Sequence, residues 1–492
     1  MKIISQFVLC AIIIICFSKI SFAQDTGDKE KTELLQRYFE GYNNQNYKQM
    51  HECMGGLMKT LFTENRIKEA YGIQFEIFGR VKISSIKFTP GGYAKAFLKY
   101  EKDTTEEYKM GFAISSKFKI IGLSASSPHF DYALSTDPSQ KLSDAVVTFK
   151  IDSMMQIKNA LGVFNGCMLA IRNGKTIYQN CFGYADYESK RKLNDSSMFE
   201  LASCSKQFTA TAILILQEQG KLSIHDNIQK FIPELPYDNV TIENFLDHTS
   251  GITEYEELLE EHWDKTKFVT NSDLATLFKQ YHPKLQFAPG KKFEYSNTGY
   301  AMLSLIIERV SGMSYANFLS KNIFQPLEMK DTRVYNTRRV TGELIDNYAF
   351  GHVYSDSLKA YVIPDQLSDY SYVIYMDAIT GDGTVNSNIL DLAKWEECLR
   401  KNSILNESAM SKAFLDHTDS KREYNNYGYG WELQASDSSK HKVAYHSGSW
   451  PGYTTFIVHF LDEETSLIIL SNNEYMNIEL MAYKIAGWLV RD

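Results

Sequence analysis

A serine and a lysine three residues apart are the first candidates for chemistry in this chain. Ser203 and Lys206 lie in the run Ser-Cys-Ser-Lys, just before an apolar helical stretch at 208–216. Residues at i and i+3 share a helix face, so the amine can reach the hydroxyl. A serine becomes a strong nucleophile when a neighbour accepts its proton, and a lysine does so once burial or positive charge lowers its pKa. The pattern indicates an acyl-transfer nucleophile, and the alternative is a helix cap followed by a solvated lysine.

A tyrosine and an asparagine form the second candidate pair. Tyr295 and Asn297 follow the turn at Pro289-Gly290 and precede a helix over 300–310. A phenol beside an ammonium group can act as a base or proton shuttle. The asparagine amide can both donate and accept hydrogen bonds. The alternative is a tyrosine that only packs the loop and an asparagine that only caps the helix.

A third candidate is the run His446-Ser447-Gly448-Ser449, in the first strand of a predicted hairpin. A glycine in a strand lets another backbone or a ligand approach closely. The strand amide can then face a developing oxyanion together with the amide of the nucleophile. The alternative is a hairpin glycine beside a surface histidine.

The order Ser-x-x-Lys, Tyr-x-Asn, His-x-Gly resembles the serine beta-lactamase and penicillin-binding family. Within it, the chain is most similar to class C beta-lactamases and the related D-alanyl-D-alanine peptidases and esterases. The likeness covers about residues 140–492. Supporting runs lie at 246–252, 381–385, 391–395 and 427–431.

The resemblance implies a catalytic role for three residues. Ser203 attacks the carbonyl and forms an acyl-enzyme, and Lys206 helps to deprotonate it. Tyr295 acts as general base in acylation and passes the proton to the leaving amine or alcohol.

The resemblance also implies a set of binding residues. Asn297 holds the substrate amide, and His446 helps to bind a substrate carboxylate or shuttles a proton. The backbone amides of Ser203 and Ser449, on the strand that contains Gly448, form the oxyanion hole. Class C beta-lactamases usually have Lys-Thr-Gly where this chain has His-Ser-Gly. Because a histidine is only partly charged near neutral pH, this departure indicates weak action on beta-lactams.

The elements that must position these residues predict an α/β (α+β) fold in two domains. We expect an antiparallel sheet flanked by helices plus a helical subdomain, preceded by a small α+β domain that resembles the nuclear-transport-factor-2-like type. The expected divisions are a signal peptide at 1–23, the accessory domain at 24–124, a linker at 125–141 and the hydrolase domain at 142–492. In the accessory domain, strands are expected at 73–78, 81–88, 93–100, 107–114 and 117–123.

The amino terminus has the pattern of a secretory signal. A lysine at position 2 precedes a short apolar core at 7–17, and Ser21-Phe22-Ala23 is a plausible cleavage site. We therefore expect a periplasmic or extracellular protein with no stable membrane span after cleavage. The alternative is an uncleaved anchor.

Composition narrows the possible partners. The net charge of −8 gives no basic footprint for nucleic acid, and the histidines and cysteines form no recognised metal motif. We expect no metal and no cofactor. Cys167 and Cys181 flank a predicted hairpin turn and could pair, although free buried thiols are favoured.

These observations predict a secreted serine hydrolase that forms a covalent acyl-enzyme. Its expected substrate is a small molecule or peptide, cell-wall-derived ones included, with an amide or ester bond: a D-alanyl peptide, a D-amino acid amide or a small ester. The alternative is a non-catalytic protein that binds cell-wall peptides or senses beta-lactams in the same cleft.

Overall fold

The chain divides into two compact units. The computed structural model describes residues 27–490, with short gaps between 56 and 77 and at 90–92, 103–107, 116, 126–141, 356, 359, 419–425, 435–440 and 474–477. The expected signal peptide and nearly all of the expected linker lie outside these residues. One unit takes Met1–Pro128 and Asp152–Val163, and the other takes His129–Ile151 and Phe164–Asp492. The unit division falls within a helix at 144–160, so the domain boundaries given above stay predictions.

The first unit contains two helices and a four-stranded antiparallel sheet in the order β1-β2-β3-β4. Its elements are α1 (Asp28–Asn43), α2 (Tyr47–Cys53), β1 (Val81–Thr89), β2 (Tyr93–Tyr100), β3 (Tyr108–Ile114) and β4 (Ile120–Ala125). The strand expected at 73–78 is wrong, because Phe75 and Phe78 are helical. Tyr71, Phe75 and Phe78 are spaced by four and three residues, the period of one helix face. The likeness to nuclear-transport-factor-2-like domains stays a prediction.

The second unit is built on a seven-stranded antiparallel sheet with strand order β14-β15-β16-β17-β18-β5-β6. The strands are β5 (Gly166–Arg172), β6 (Lys175–Phe182), β14 (Asn426–Tyr427), β15 (Glu432–Leu433), β16 (Val443–Trp450), β17 (Tyr453–Phe460) and β18 (Thr465–Ser471). Shorter strands are β7 (Tyr184–Asp186), β8 (Arg191–Lys192), β9 (Phe199–Glu200), β10 (Arg333–Val334), β11 (Val353–Ser355), β12 (Ala360–Val362) and β13 (Val385–Ser387). The expected combination of an antiparallel sheet and helices is confirmed.

Helices complete this unit and supply most of the apolar core. They are α3 (Asp144–Ala160, shared with the first unit), α4 (Lys206–Glu218), α5 (Ile242–Leu246), α6 (Tyr255–His262), α7 (Asn271–Tyr281), α8 (Asn297–Ser311), α9 (Tyr315–Leu319), α10 (Arg338–Thr341), α11 (Tyr372–Tyr375), α12 (Ile389–Lys401), α13 (Glu407–Ala413) and α14 (Ile478–Leu489). Eleven consecutive residues of α4, from Lys206 to Leu216, are buried. Because α4 is enclosed by the core and packs on α8, the residues at its start are held rigidly.

Two further observations concern the cysteines and the membrane. Cys167 and Cys181 form a disulfide across β5 and β6, so the favoured expectation of free thiols at these positions is wrong. Facing positions on adjacent antiparallel strands bring the two side chains together, which residue types alone do not reveal. Within the described ranges, none of the helices is long and apolar enough to cross a bilayer.

Candidate active site

The serine candidate lies on a tight turn at the start of α4. Ser203 belongs to a 3-10 turn, Ala202–Ser205, which we call the nucleophile turn. Ala202 has a φ of 48°, a left-handed conformation that costs a non-glycine residue about 1 kcal/mol or more. The surroundings hold it in place, because Leu201 N donates to Val385 O at 2.8 Å and Thr455 Oγ1 donates to Leu201 O at 2.8 Å. This constraint fixes the direction of the serine side chain.

The lysine candidate is fully buried beside that serine. Lys206 Nζ lies 3.1 Å from Ser203 Oγ, 2.9 Å from Asn297 Oδ1 and 2.9 Å from the Asp382 carbonyl oxygen. Burial lowers the pKa of Lys206 to about 8, although nearby carboxylates oppose the change. A neutral amine has two N–H donors and one lone pair. With the donors directed at Asn297 and Asp382, the lone pair faces the serine hydroxyl, as a general base requires.

The tyrosine candidate adjoins both residues. The ring centroid of Tyr295 lies 4.9 Å from Lys206 Nζ, and a side-chain hydrogen bond links Tyr295 to Ser203. Desolvation raises the pKa of Tyr295 well above its usual value, and the hydrogen bond with Ser203 opposes this rise. The side chain remains 37% exposed, so solvent moderates the effect without reversing it. The phenol is therefore neutral near pH 7, which favours the role of proton shuttle over that of general base; both roles stay predictions.

The asparagine candidate is free to face the lysine because another residue caps its helix. Ser296, not Asn297 or Thr298, is the N-cap of α8, and its side chain accepts a hydrogen bond from Gly299 N. Asn297 N donates to Glu254 Oε2 at 3.0 Å, and its side-chain amide donates to Glu256 Oε1 at 3.4 Å. Burial raises the pKa of both glutamates. The motifs in the sequence include neither glutamate, so the contact of this pair with the site was missed.

The histidine candidate is buried and neutral. His446 Nε2 lies 2.9 Å from Tyr427 Oη, and Nδ1 lies 2.6 Å from Ser447 O. A neutral ring satisfies both contacts when Nδ1–H donates to the carbonyl and Nε2 accepts from the phenol. Burial and the nearby Lys206 lower the pKa of His446 to about 3. A role as a partial cation for a substrate carboxylate stays a prediction, and this burial argues against it.

A glycine allows the sheet to approach the nucleophile turn. A Cβ on Gly448 would lie 2.2 Å from Leu201 O and 2.3 Å from Thr455 Oγ1, so no side chain fits there. The next residue, Ser449, lies with Ser203 in the wall of a single cleft. This close approach is what the sequence predicted for the glycine. The oxyanion role of the Ser449 amide stays a prediction.

The cleft beside Ser203 is open to solvent and acidic. Among the residues that the structure describes, its lining includes three carboxylates, Glu200, Asp377 and Asp382, and no lysine, arginine or histidine. Lys206 lies next to it, as described above. The sequence showed Asp382 only as part of a glycine-rich turn and gave no signal for the other two acids. A substrate with a free carboxylate thus meets few favourable charges in this cleft.

Comparison with known proteins agrees with this geometry. The beta-lactamase family profile matches residues 150–486. Penicillin-binding protein 4* of Bacillus subtilis (strain 168) is 42% identical over 311 residues, which are 63% of this chain and 68% of that protein. The octameric penicillin-binding protein homologue from Pyrococcus abyssi is 27% identical with a TM-score of 0.59, over 69% of this chain and 77% of that one.

A further solved structure supports the fold alone. The D-amino acid amidase from Ochrobactrum anthropi SV3 has a TM-score of 0.56 at 22% identity, over 70% of this chain and 97% of that one. Together, the profile over most of the chain, the Bacillus relative and the shared fold confirm the resemblance drawn from the three motifs. The chain belongs to the beta-lactamase family of serine hydrolases.

Proposed function

We propose that this protein is a secreted hydrolase that cleaves amides or esters through an acyl-enzyme on Ser203, with weak action on beta-lactams. The observation that carries the proposal is the buried Lys206 amine 3.1 Å from the serine oxygen. An amine with a pKa near 8 is partly neutral at neutral pH and can accept the serine proton. A protein that only binds peptides has no need of such an activated hydroxyl.

Acylation follows from the positions of these groups. Neutral Lys206 takes the proton from Ser203 as Oγ attacks the substrate carbonyl carbon. The tetrahedral oxyanion accepts hydrogen bonds from the amides of Ser203 and Ser449, and each such donor contributes about 3 kcal/mol. The Tyr295 phenol gives its proton to the leaving amine or alcohol and recovers one from the Lys206 ammonium. The carbon–nitrogen or carbon–oxygen bond breaks, and the acyl group stays on the serine.

Deacylation uses the same groups with water as the nucleophile. Neutral Lys206 accepts a proton from the attacking water, directly or through Tyr295, and the acyl–oxygen bond breaks. Ser203 regains a proton, and the product leaves as a carboxylic acid. Expulsion of that product is favoured by the acidic lining of the cleft, since a carboxylate is repelled there.

Substrate class follows from charge and from similarity. Penicillins and cephalosporins are anions, and the described residues of the cleft lining include three acids and no lysine, arginine or histidine. Similarity in fold to a D-amino acid amidase is consistent with D-amino acid amides as substrates. D-Alanyl peptides and small esters are candidates from the resemblance of the three motifs. Export through the amino-terminal signal at 1–23 is part of this proposal.

The test combines labelling with turnover. A fluorophosphonate should label the full-length protein at Ser203, and Ser203→Ala should abolish both the label and the hydrolysis of p-nitrophenyl acetate. Nitrocefin should be hydrolysed only slowly. Labelling without turnover of any ester or amide would instead support a binding or sensing protein. Nitrocefin turnover as fast as that of a dedicated beta-lactamase would contradict the substrate class.

A further inference from the structure

One carboxylate in the catalytic cleft has no hydrogen-bond or ion-pair partner among the described residues. Glu200 lies at the end of β9, three residues before Ser203, and is only 8% exposed. It lines the cleft together with Ser203 and Ser449. In the described part of the chain, its carboxylate makes no hydrogen bond and no ion pair. A carboxylate that is nine-tenths buried without a partner is costly unless something pairs with it.

The other two acids of the cleft do have partners. Asp377 Oδ1 pairs with Arg339 Nη1 at 2.6 Å, and Asp382 Oδ2 accepts a hydrogen bond from the Tyr255 hydroxyl at 2.8 Å. Their charge is thus held by the protein itself. Glu200 differs from them because it is left to interact with whatever occupies the cleft.

The charged side chains around Glu200 only partly balance the negative charge of its carboxylate. Burial raises the pKa of Glu200 to about 7. The groups that face it are Arg338, Arg339, Asp365 and Asp377, together with the phenols Tyr348 and Tyr453. Both arginines lower its pKa, but they also pair with Asp365, and Arg339 pairs with Asp377. The protein alone does not fully stabilise the ionised carboxylate, and a cationic group on a ligand would do so.

The position of Glu200 indicates which half of a substrate it contacts, the leaving group or the acyl group. The leaving group departs beside Tyr295, because that phenol supplies its proton. Glu200 lines the cleft together with Ser203 and Ser449, whereas Tyr295 is not among the described residues of that lining. Glu200 therefore faces the acyl half of the substrate.

We propose that Glu200 binds a free ammonium group on the acyl half of the substrate, so that this hydrolase selects amides and esters of amino acids with an unblocked amino terminus. This inference rests on the proposed function, since it needs an acyl-enzyme on Ser203. It narrows the substrate class to one feature: a positive charge close to the scissile carbonyl. N-acylated substrates and anionic beta-lactams lack that charge.

The test uses two substrates that differ by one amino group. D-Alanine p-nitroanilide carries the ammonium, and propionyl p-nitroanilide lacks it. A hydrogen bond to a charged partner contributes about 1.5–3 kcal/mol, so wild-type kcat/KM should favour the amino substrate by about 10- to 100-fold. Glu200→Gln should reduce that ratio by a similar factor, chiefly through KM. Glu257→Gln, an exposed acid on α6 outside the cleft lining, is the matched control and should leave the ratio unchanged.

The outcomes separate the two proposals. If the wild type hydrolyses both anilides equally, or if Glu200→Gln keeps the full ratio, Glu200 does not bind the ammonium, although the serine mechanism stands. If neither anilide nor p-nitrophenyl acetate acylates Ser203, the proposed function fails and this inference with it. Fluorophosphonate labelling of Glu200→Gln reports whether its site is intact. The wild-type ratio needs no variant and decides the question if the variant does not fold.

Discussion

The charge state of Lys206 gives the sharpest prediction, because the proposed base must lose a proton to act. Burial lowers the pKa of Lys206 to about 8, so about 1% is neutral at pH 6, about 9% at pH 7 and about 90% at pH 9. Since the deprotonated amine is the reactive form, the acylation rate should rise with pH. We expect about a tenfold rise from pH 6 to 7, another tenfold from pH 7 to 9, and a plateau above.

The assay is the second-order rate of Ser203 acylation by p-nitrophenyl acetate between pH 6 and 10, with the uncatalysed rate subtracted. This ester is neutral, so its own charge does not change over the range. The buried His446 does not contribute to the profile, because its pKa is lowered to about 3.

Lys206→Arg is the diagnostic variant. A guanidinium keeps the positive charge but does not lose its proton in this range. General-base catalysis contributes about 10²- to 10⁴-fold, so the variant should fall at least 100-fold below wild type at pH 9 and lose the rise with pH. Thermal unfolding of the variant checks that it is folded. A flat wild-type profile, or a midpoint near 10, would refute the assignment of Lys206 as the base.

Two further predictions concern how the site is held together. Gly448→Ala places a Cβ 2.2 Å from Leu201 O and should lower the free energy of unfolding, measured by urea titration, by about 1–3 kcal/mol. The control Gly383→Ala, whose Cβ would lie 3.9 Å from its nearest contact, should change this free energy far less. Equal losses in the two variants would contradict the packing argument. Tyr427→Phe removes the hydroxyl that lies 2.9 Å from His446 Nε2 and leaves this buried acceptor unpaired. The free energy of unfolding should fall by about 1–3 kcal/mol in the same titration. An unchanged free energy would show that the contact does not stabilise the fold.

Several elements were predictable because their signals are local. The hairpin whose turn Cys167 and Cys181 flank follows from the dipeptide Asn173-Gly174, whose positive φ angles suit a two-residue turn. The serine and lysine lie on adjacent turns of chain, so their contact follows from spacing. The empty space that Gly448 leaves for another backbone is also a property of the residue itself.

The predictions that the structure corrects concern segments whose residues suit more than one local structure. The segment at 73–78 reads as a strand, yet its aromatic residues form a helical face that packs on other aromatic rings, with Phe78 against Tyr100. Ser296, Asn297 and Thr298 are all good helix caps, and only the observed geometry selects the first. The pairing of Cys167 with Cys181 depended on strand register.

What the sequence by itself determined is the set of reactive residue types, their order, and therefore the family. Only the tertiary structure decided their charges. Asp382, 176 residues from Lys206 along the chain, supplies the carbonyl that orients its amine, and burial by other segments makes the lysine a base and His446 a neutral ring. The same folding leaves the Glu200 carboxylate in the cleft wall without a hydrogen bond or ion pair to another described residue. The protonation state of a side chain depends on its burial and on charges from segments distant in the sequence, and a short motif specifies neither of these.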